Sequence, residues 1–203
     1  MIAYGTDEWF SSRRGKVTAS RGACILVNGK GPHGLGDGAL TYAGEVVRGM
    51  MGIAPEEFAS AEMNEGVRRE PESIEAYEAK TFNLVSEGGL IMIPDTIIGA
   101  TPDGFIGSDG ILEAKNPSAK AHFETLMTRE VPPQYRVQIQ WQLMVTDREW
   151  CDFISYNPSF PDDKKLVIIR MDHNREFTAN TLRPKIDKFI EYVYELKAKL
   201  NIQ

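Results

Sequence analysis

The sequence predicts an α/β (α+β) fold in which a mixed β-sheet is flanked by helices. Three observations lead to this class. Helical spacing of apolar residues dominates the first 80 residues, short apolar segments separated by Gly, Pro and Asp begin at residue 84, and an amphipathic segment follows residue 180. A length of 203 residues without an internal repeat or a linker-like segment predicts a single domain over residues 1–203.

The predicted helices follow from apolar spacing and from residues that favour helix starts. They are a short helix at 6–10, one that starts at 18–20 and runs through 23–27, and longer helices at 40–51, 62–80, 134–145 and 180–200. Pro71 lies near the start of the 62–80 helix or at a kink in it. Residues 28–38 contain five glycines, which predicts a mobile loop.

The predicted strands lie between residues 84 and 171. They are 84–86, 90–93, 97–100, 110–115, 150–156 and 165–171. Gly88 and Gly89 separate the first two strands, and this pattern predicts a hairpin turn between them.

Composition limits the functional class. The net charge is −6, from 23 Lys and Arg and 29 Asp and Glu, which argues against a protein that coats DNA without regard to sequence. A nuclease is still compatible, because local basic residues and bound cations offset carboxylates at a site. Two cysteines and three scattered histidines predict neither a disulfide scaffold nor a zinc site. The sequence shows no membrane-spanning run and no secretory signal, so we expect a cytoplasmic protein without a membrane partner.

The most informative pattern is Asp103, within Thr-Pro-Asp-Gly, followed by Glu113 and Lys115 on the next predicted strand. Because side chains alternate along a strand, Glu113 and Lys115 lie on one face. Carboxylate oxygens are the ligands that Mg²⁺ prefers, so Asp103 and Glu113 predict a metal site with Lys115 beside a scissile phosphate. The alternative is an exposed strand with a Glu–Lys pair, which contributes little energy.

Two further groups are candidates for phosphate binding. Arg13 carries a planar guanidinium suited to phosphate, and Ser20, near a predicted helix start, adds donors where the helix dipole favours an anion. A solvated basic patch and a simple helix cap are the alternatives. Glutamines 134, 138 and 142 form one stripe of a helix that is apolar on its other faces. Such a stripe needs buried partners, either in a cleft that holds phosphate or in an internal hydrogen-bond network.

The chain resembles the phage lambda exonuclease family of viral recombination nucleases, within the PD-(D/E)xK superfamily. The resemblance extends from Asp7 to about Tyr156 and implies a PD-(D/E)xK nuclease core. It is carried by these segments: Asp7-Glu-Trp9, Arg13, Thr18-Ala-Ser20, Glu65-Gly-Val-Arg-Arg-Glu70-Pro-Glu72, Gly99-Ala-Thr-Pro-Asp-Gly104, Leu112-Glu-Ala-Lys115 and Gln138-Ile-Gln-Trp-Gln142.

The resemblance implies a role for each matching residue. Asp103, Glu113 and Lys115 match the metal-binding and catalytic residues of the family. Glu70 matches an acid that helps to assemble the metal site, and the backbone carbonyl of Ala114 is a further metal ligand.

The resemblance also implies a pocket for a 5′-phosphate. The residues that match this pocket are Arg13, Ser20, Thr101 and Gln138. Thr101 stands where lambda exonuclease has serine, and the hydroxyl is retained. The resemblance also implies that Met63 is an apolar wedge that parts the duplex ends, and Lys30 in the glycine-rich loop is a candidate contact to the DNA backbone. A solubilising loop residue and a packed methionine are the alternatives.

The family resemblance implies a Mg²⁺-dependent 5′→3′ exonuclease, with two ions per site and Mn²⁺ as a substitute. Such an enzyme digests the 5′-ended strand of double-stranded DNA to mononucleotides and leaves a 3′ overhang for recombination by annealing. The implied partners are DNA ends, a homotrimeric ring and an annealing protein. Two alternatives are an endonuclease or nickase on the same fold, and an inactive DNA-binding module that would lack one of the site residues.

Overall fold

The computed structural model of the protein describes residues 11–53 and 61–202, and for residues 61–68 it describes the backbone alone. A helical turn at Arg175–Phe177 and a π-helical turn at Thr178–Leu182 lead into the last helix. No helix in these ranges has both the length and the apolar character to cross a membrane. The helices are α1 (Gly22–Leu26), α2 (Asp37–Met50), α3 (Ala61–Thr81), α4 (Ala119–Thr128), α5 (Pro133–Thr146) and α6 (Arg183–Lys199).

The strands form two sheets. The smaller sheet has the order β1-β4-β3, and the larger one has the order β2-β5-β6-β7-β8. The strands are β1 (Val17–Thr18), β2 (Val85–Glu87), β3 (Ile91–Met92), β4 (Ile98–Ala100), β5 (Gly104–Ile106), β6 (Gly110–Lys115), β7 (Trp150–Tyr156) and β8 (Leu166–Asp172).

The centre of the larger sheet is the parallel pair β6 and β7, and its other neighbours are antiparallel. A parallel pair needs a crossover connection, which α4 and α5 supply between the end of β6 and the start of β7. This crossover lays α5 over the face of β6 from which Glu113 projects.

The largest apolar cluster lies between the smaller sheet and helices α1, α2, α5 and α6. Trp141 of α5 is fully buried there, and its indole N–H donates to the carbonyl of Gly99 in β4 at 3.1 Å. The Tyr42 hydroxyl of α2 accepts from the backbone N–H of Thr18 at 2.9 Å. These contacts fix β1 and β4 against α5.

On its other face the larger sheet packs against α3. Leu112 and Ala114 of β6 are buried in a cluster with Tyr77 of α3. The Tyr77 hydroxyl donates to Asp152 of β7 at 2.7 Å. Burial and this hydrogen bond raise the pKa of Tyr77 to about 12. The predicted alternation along β6 is confirmed, and α3 is anchored where Glu70 approaches the end of that strand.

Most predicted elements are confirmed, with boundaries shifted by a few residues, and Pro71 lies inside α3. The helix predicted at 6–10 lies outside the described residues. Three elements were not predicted: β1, β5 and α4. Strand β5 is too short to show alternation, whereas α4 begins after Ser118, whose hydroxyl accepts from the Ala121 N–H as a helix cap.

The hairpin predicted at Gly88 and Gly89 is wrong. Strand β2 pairs with β5 in the larger sheet and β3 pairs with β4 in the smaller one, so the two glycines carry the chain between sheets. A Cβ atom on Gly88 would lie 2.0 Å from the carbonyl oxygen of Pro102 and 2.9 Å from that of Asp103. Glycine is therefore needed for a close approach to the Asp103 turn.

Two other predictions need correction. Thr18, predicted at a helix start, lies in β1 beside Gly99, and a 3₁₀ turn at Ala19–Arg21 precedes α1. The glycine-rich segment, predicted as a mobile loop, is packed at several points. Leu35 is buried in the core, and the ring of His33 contacts the Glu195 carboxylate of α6 at 2.9 Å.

We expect Gly88→Ala to lower the free energy of unfolding by roughly 1–3 kcal/mol, because the added methyl group meets backbone that cannot rotate away. Gly44→Ala in α2 is the control. Its Cβ would find only the Arg48 guanidinium, at 3.6 Å, so the change should be neutral or stabilising by up to ~1 kcal/mol. Urea unfolding measures the free energy of unfolding of both variants. Equal unfolding midpoints would contradict the close approach of Gly88 to the backbone of Pro102 and Asp103.

Candidate active site

The centre of the site is the carboxylate of Glu113, which is fully buried on β6. Its Oε1 atom accepts from the side-chain amide of Gln138 at 2.6 Å and forms an ion pair with Lys115. Its Oε2 atom accepts from the side-chain amide of Gln142, also at 2.6 Å. A buried carboxylate needs such donors, since an unpaired buried charge is strongly destabilising.

Asp103 lies in the turn between β4 and β5 and is fixed against β6 from the side. Its backbone N–H donates to the carbonyl of Leu112 at 3.1 Å, and its carboxylate accepts from the Ala114 N–H at 2.7 Å. These two bonds hold the aspartate beside Glu113, although nine residues of chain separate the two acids.

The three acids of the site interact electrostatically. Burial raises the pKa of Asp103 well above its ordinary value, the charges of Glu113 and Glu70 add to this, and Lys115 opposes it. Burial also raises the pKa of Glu70, with Lys115 lowering it and Glu113 raising it. Burial lowers the pKa of Lys115, but the charges of Glu113 and Asp103 outweigh burial and raise it overall. The site holds more negative charge than one lysine balances.

This donor set fits a hard divalent cation. Asp103 and Glu113 carry carboxylate oxygens, and Ala114, which follows Glu113, has its backbone fixed by the bond to Asp103. Among the side chains of residues 11–53 and 69–202, no three His, Cys, Asp or Glu are arranged to hold a metal ion. Two carboxylates with a carbonyl and waters are the pattern that Mg²⁺ commonly uses.

A second polar cluster surrounds Arg13. Its guanidinium donates to the hydroxyl of Thr101 at 2.6 Å, of Thr18 at 3.0 Å and of Ser20 at 3.4 Å. Hydroxyl groups beside a planar guanidinium provide donors for the oxygens of a phosphate group.

Thr101 and Gln142 join the two clusters. The Thr101 hydroxyl accepts from Arg13, while its backbone carbonyl accepts from the Gln142 amide at 3.3 Å. The same amide group donates to Glu113. Gln142 is fully buried, and its Oε1 atom has no hydrogen-bond partner among the described residues. The Arg13 cluster therefore borders the Glu113 centre.

The structure brings most predicted site residues together. Lys115 forms an ion pair with Glu113, and the charges of Glu113 and Glu70 raise the pKa of Asp103. Arg13, Thr101 and Ser20 also meet. Gln138, predicted for the phosphate pocket, contacts Glu113 instead. Lys30 is exposed in its loop, and the side chain of Met63 lies outside the described part of the structure.

Sequence reasoning did not assign three residues of the site. Gln142 was predicted only as part of the glutamine stripe, and its spacing from Gln138 was the available signal. Thr18 was treated as a helix start. Tyr135, whose ring centroid lies 5.3 Å from the Lys115 ammonium, carried no signal in the sequence.

Comparison with known proteins shows the family and the fold of the chain. The sequence matches the model of the YqaJ-like viral recombinase domain over residues 8–149. The structure is similar to that of an alkaline exonuclease (LHK-Exo) from Laribacter hongkongensis, with a TM-score of 0.83 and 32% identity over 97% of this chain and 98% of that chain. LHK-Exo in complex with dAMP gives a TM-score of 0.82 with the same identity and coverage.

A phage-related exonuclease from Haemophilus somnus 129PT shares the fold, with a TM-score of 0.71 at 12% identity over 91% of this chain and 96% of that chain. A comparison with curated protein sequences gives no match.

The fold and the site define the class of this protein, an α/β nuclease of the PD-(D/E)xK type with mixed sheets flanked by helices. Within that class, the chain belongs to the YqaJ-like viral recombinase family. The predicted relationship to the lambda exonuclease-like nucleases is confirmed.

We expect Asp103→Asn to raise the stability of the protein in EDTA at pH 7 by roughly 2–4 °C, or about 1 kcal/mol for a chain of this size. The amide still accepts from Ala114 and is not repelled by Glu113. Because the folded-state pKa is raised, wild type loses stability as the pH rises from about 4 through that pKa.

Thermal unfolding followed by circular dichroism between pH 4.5 and pH 8 measures this effect. The gain in the variant should shrink toward pH 4.5, because the raised pKa of Asp103 favours its uncharged form as the pH falls. The exposed Asp95→Asn serves as the control and should show no such pH-dependent gain. A gain in thermal stability that is absent at pH 7, or that is equal at pH 4.5 and pH 8, would contradict the repulsion between Asp103 and Glu113.

Proposed function

We propose that this protein is a Mg²⁺-dependent 5′→3′ exonuclease that digests the 5′-ended strand of double-stranded DNA to mononucleotides. The observation that carries the proposal is the Arg13 cluster bordering the Glu113 centre through Thr101 and Gln142. An enzyme that acts at ends needs a site for the terminal phosphate next to its reaction centre. The 3′ overhang that it leaves is the substrate of annealing-type recombination.

The proposed metal ligands are Asp103, Glu113 and the carbonyl of Ala114, with Glu70 acting indirectly and with two ions per site. Nucleases of this kind generally use divalent metal ions, which polarise the scissile phosphate and lower the pKa of a bound water. Mn²⁺ has the same preference for oxygen ligands and should substitute for Mg²⁺.

Lys115 is proposed to act as a positive charge at the scissile phosphate. Its raised pKa keeps the amine protonated, so it donates hydrogen bonds and does not take up a proton. A fixed ammonium stabilises the negative charge that develops on phosphate oxygens in the transition state. Gln138 and Gln142 hold Glu113 in place, while Asp103 is held by the backbone of β6.

Arg13, Ser20, Thr101 and Gln138 are proposed to form the pocket for the 5′-phosphate. In the structure Arg13 donates to the hydroxyls of Thr101 and Ser20, whereas Gln138 donates to Glu113, so the proposed place of Gln138 in the pocket rests on the family resemblance. Thr18 adds a third hydroxyl to the cluster.

A second candidate function is an endonuclease or nickase on the same fold. It would use the same carboxylates, but it has no need of an Arg13 cluster beside them. An inactive DNA-binding module is disfavoured, because Asp103, Glu113 and Lys115 are all present and in contact with one another or with shared neighbours.

The assembly and partners are also proposals. A homotrimeric ring around DNA, an annealing protein that receives the 3′ strand, and action in the cytoplasm follow from the relationship to lambda exonuclease. Lys30 and Met63 remain proposed contacts to the DNA backbone and between the strands. The complex of LHK-Exo with dAMP supports a mononucleotide product, since dAMP is a nucleoside 5′-monophosphate.

We expect a 5′-phosphorylated linear duplex to be digested to mononucleotides in the presence of Mg²⁺. Lys115→Ala should lower the rate by about 10²–10³-fold, because a preorganised charge at the phosphate is lost. Lys188→Ala on the exposed side of α6 is the control and should digest at the wild-type rate. The release of acid-soluble nucleotide measures the digestion rate of wild type and of both variants.

A closed circular plasmid in the same assay separates the two candidate functions. It should stay intact, because it offers no end. Relaxation or linearisation would support the endonuclease, and undiminished digestion by Lys115→Ala would exclude the proposed chemistry.

We expect wild type to prefer a 5′-phosphorylated over a 5′-hydroxyl duplex by about 10- to 100-fold, the range that hydrogen bonds to a charged group confer. Arg13→Ala should bring this ratio close to one by slowing only the phosphorylated substrate. Initial rates on the two duplexes measure the ratio. Arg183→Ala, on the exposed face of α6, should keep the wild-type preference, and an unchanged ratio in Arg13→Ala would contradict the assignment of the pocket.

A further inference from the structure

A cavity of about 280 Å³ lies beside Lys115, between the sheet, the end of α4 and the start of α5. Helix α5 passes over three features in order along its length. Tyr135 lines the cavity, Gln138 contacts Glu113, and Gln142 contacts Thr101 of the Arg13 cluster. At 1.5 Å per residue, these positions span roughly 10 Å of helix. The cavity and the Arg13 cluster therefore lie on opposite sides of the Glu113 centre.

The wall of the cavity is aromatic. The rings of Tyr135 and Phe153 stack with centroids 5.6 Å apart and an interplanar angle of 29°. Lys115 also lines the cavity, and its ammonium lies 5.3 Å from the Tyr135 ring centroid. The volume is just below the ~300–1,000 Å³ typical of pockets for drug-sized ligands, so it suits one flat ring system.

The floor of the cavity carries a hydrogen-bond acceptor. Ser155 lines it, is buried, and lies opposite Lys115 in the parallel register of β6 and β7. His122 is fully buried and contacts the Lys164 carbonyl through Nε2 at 2.9 Å and the Ser155 hydroxyl through Nδ1 at 2.8 Å. A carbonyl only accepts, so in the neutral ring Nε2 carries the hydrogen and Nδ1 accepts from Ser155. The serine oxygen thus keeps its lone pairs for a donor in the cavity.

We propose that this cavity binds the unpaired base of the second nucleotide from the 5′ end, on the 3′ side of the bond that is cut. The proposal rests on the proposed function. With the terminal phosphate at Arg13 and the scissile phosphate at Glu113 and Lys115, the first nucleotide lies between them. The next nucleotide continues in the same direction and reaches the cavity. Its base stacks on Tyr135 and donates an N–H to Ser155.

Equilibrium binding in EDTA tests this assignment without cleavage. Three 5′-phosphorylated duplexes carry two mismatched pairs at that end, so that binding breaks no base pair there. One keeps all bases, one lacks the base at position 1 and one lacks the base at position 2. We expect the loss at position 2 to raise the Kd of wild type by about 5- to 150-fold, the range for one stacked base, and the loss at position 1 to raise it less.

A variant with a larger side chain at the edge of the cavity tests the same assignment from the side of the protein. Thr128→Trp replaces an exposed residue that lines the cavity and should bind the complete duplex as weakly as wild type binds the duplex without base 2. Removing base 2 should then cause no further loss. Tyr194→Trp, exposed on α6, is the matched control and should behave as wild type. Circular dichroism confirms that both variants are folded.

The outcomes separate the cavity from the proposed function. Equal losses for bases 1 and 2, or wild-type binding by Thr128→Trp, would overturn the cavity assignment even if Mg²⁺ then supports digestion. A specific loss at position 2 that Thr128→Trp abolishes supports the assignment. If Mg²⁺ then releases no nucleotide from the 5′ end, the proposed function fails and the base-binding cavity stands.

Discussion

The buried carboxylate of Glu113 is the constraint on which the rest of the site depends. An ionised carboxylate without water is tolerated only when donors and a counter-charge surround it. Here Gln138, Gln142 and Lys115 meet that need from two elements, α5 and β6 itself. The crossover between β6 and β7 must therefore hold α5 at a fixed distance and rotation over the sheet. The burial of Trp141 in the apolar cluster with β4, and its hydrogen bond to Gly99, fix both.

The same constraint brings carboxylates that repel one another into one site. Asp103 is held beside Glu113 by backbone hydrogen bonds, and Glu70 approaches from α3, so three acids share one lysine. This repulsion destabilises the protein, and the proposed cation would relieve it, a common exchange of stability for activity. Since Gln142 also contacts Thr101, the position of the Arg13 cluster depends on the same helix.

The sequence predicted the parts of this arrangement that are encoded locally. The alternation in β6 placed Glu113 and Lys115 on one face, and the family resemblance added Glu70 and Arg13. Features that depend on distant contacts escaped prediction. The glutamine stripe needed partners, but only the fold shows that Gln142 meets Glu113. Gly88 carries the same local signal in a hairpin as in a close approach between backbones, so that prediction was wrong. The Tyr135 cavity arises from the meeting of α4, α5 and the sheet.

Calorimetric titration with Mn²⁺ tests the central claim most directly, because it reads the carboxylate centre without DNA or turnover. The account predicts that wild type binds Mn²⁺ and that Glu113→Gln loses most of this binding. Because the amide NH₂ of the new side chain donates where a carboxylate oxygen accepts, the Gln142 amide must turn to accept from it, and circular dichroism checks that the variant is folded. Glu124→Gln, an exposed acid of α4, should bind as wild type does. Equal binding by Glu113→Gln and wild type would contradict the claim that Glu113 organises a metal site.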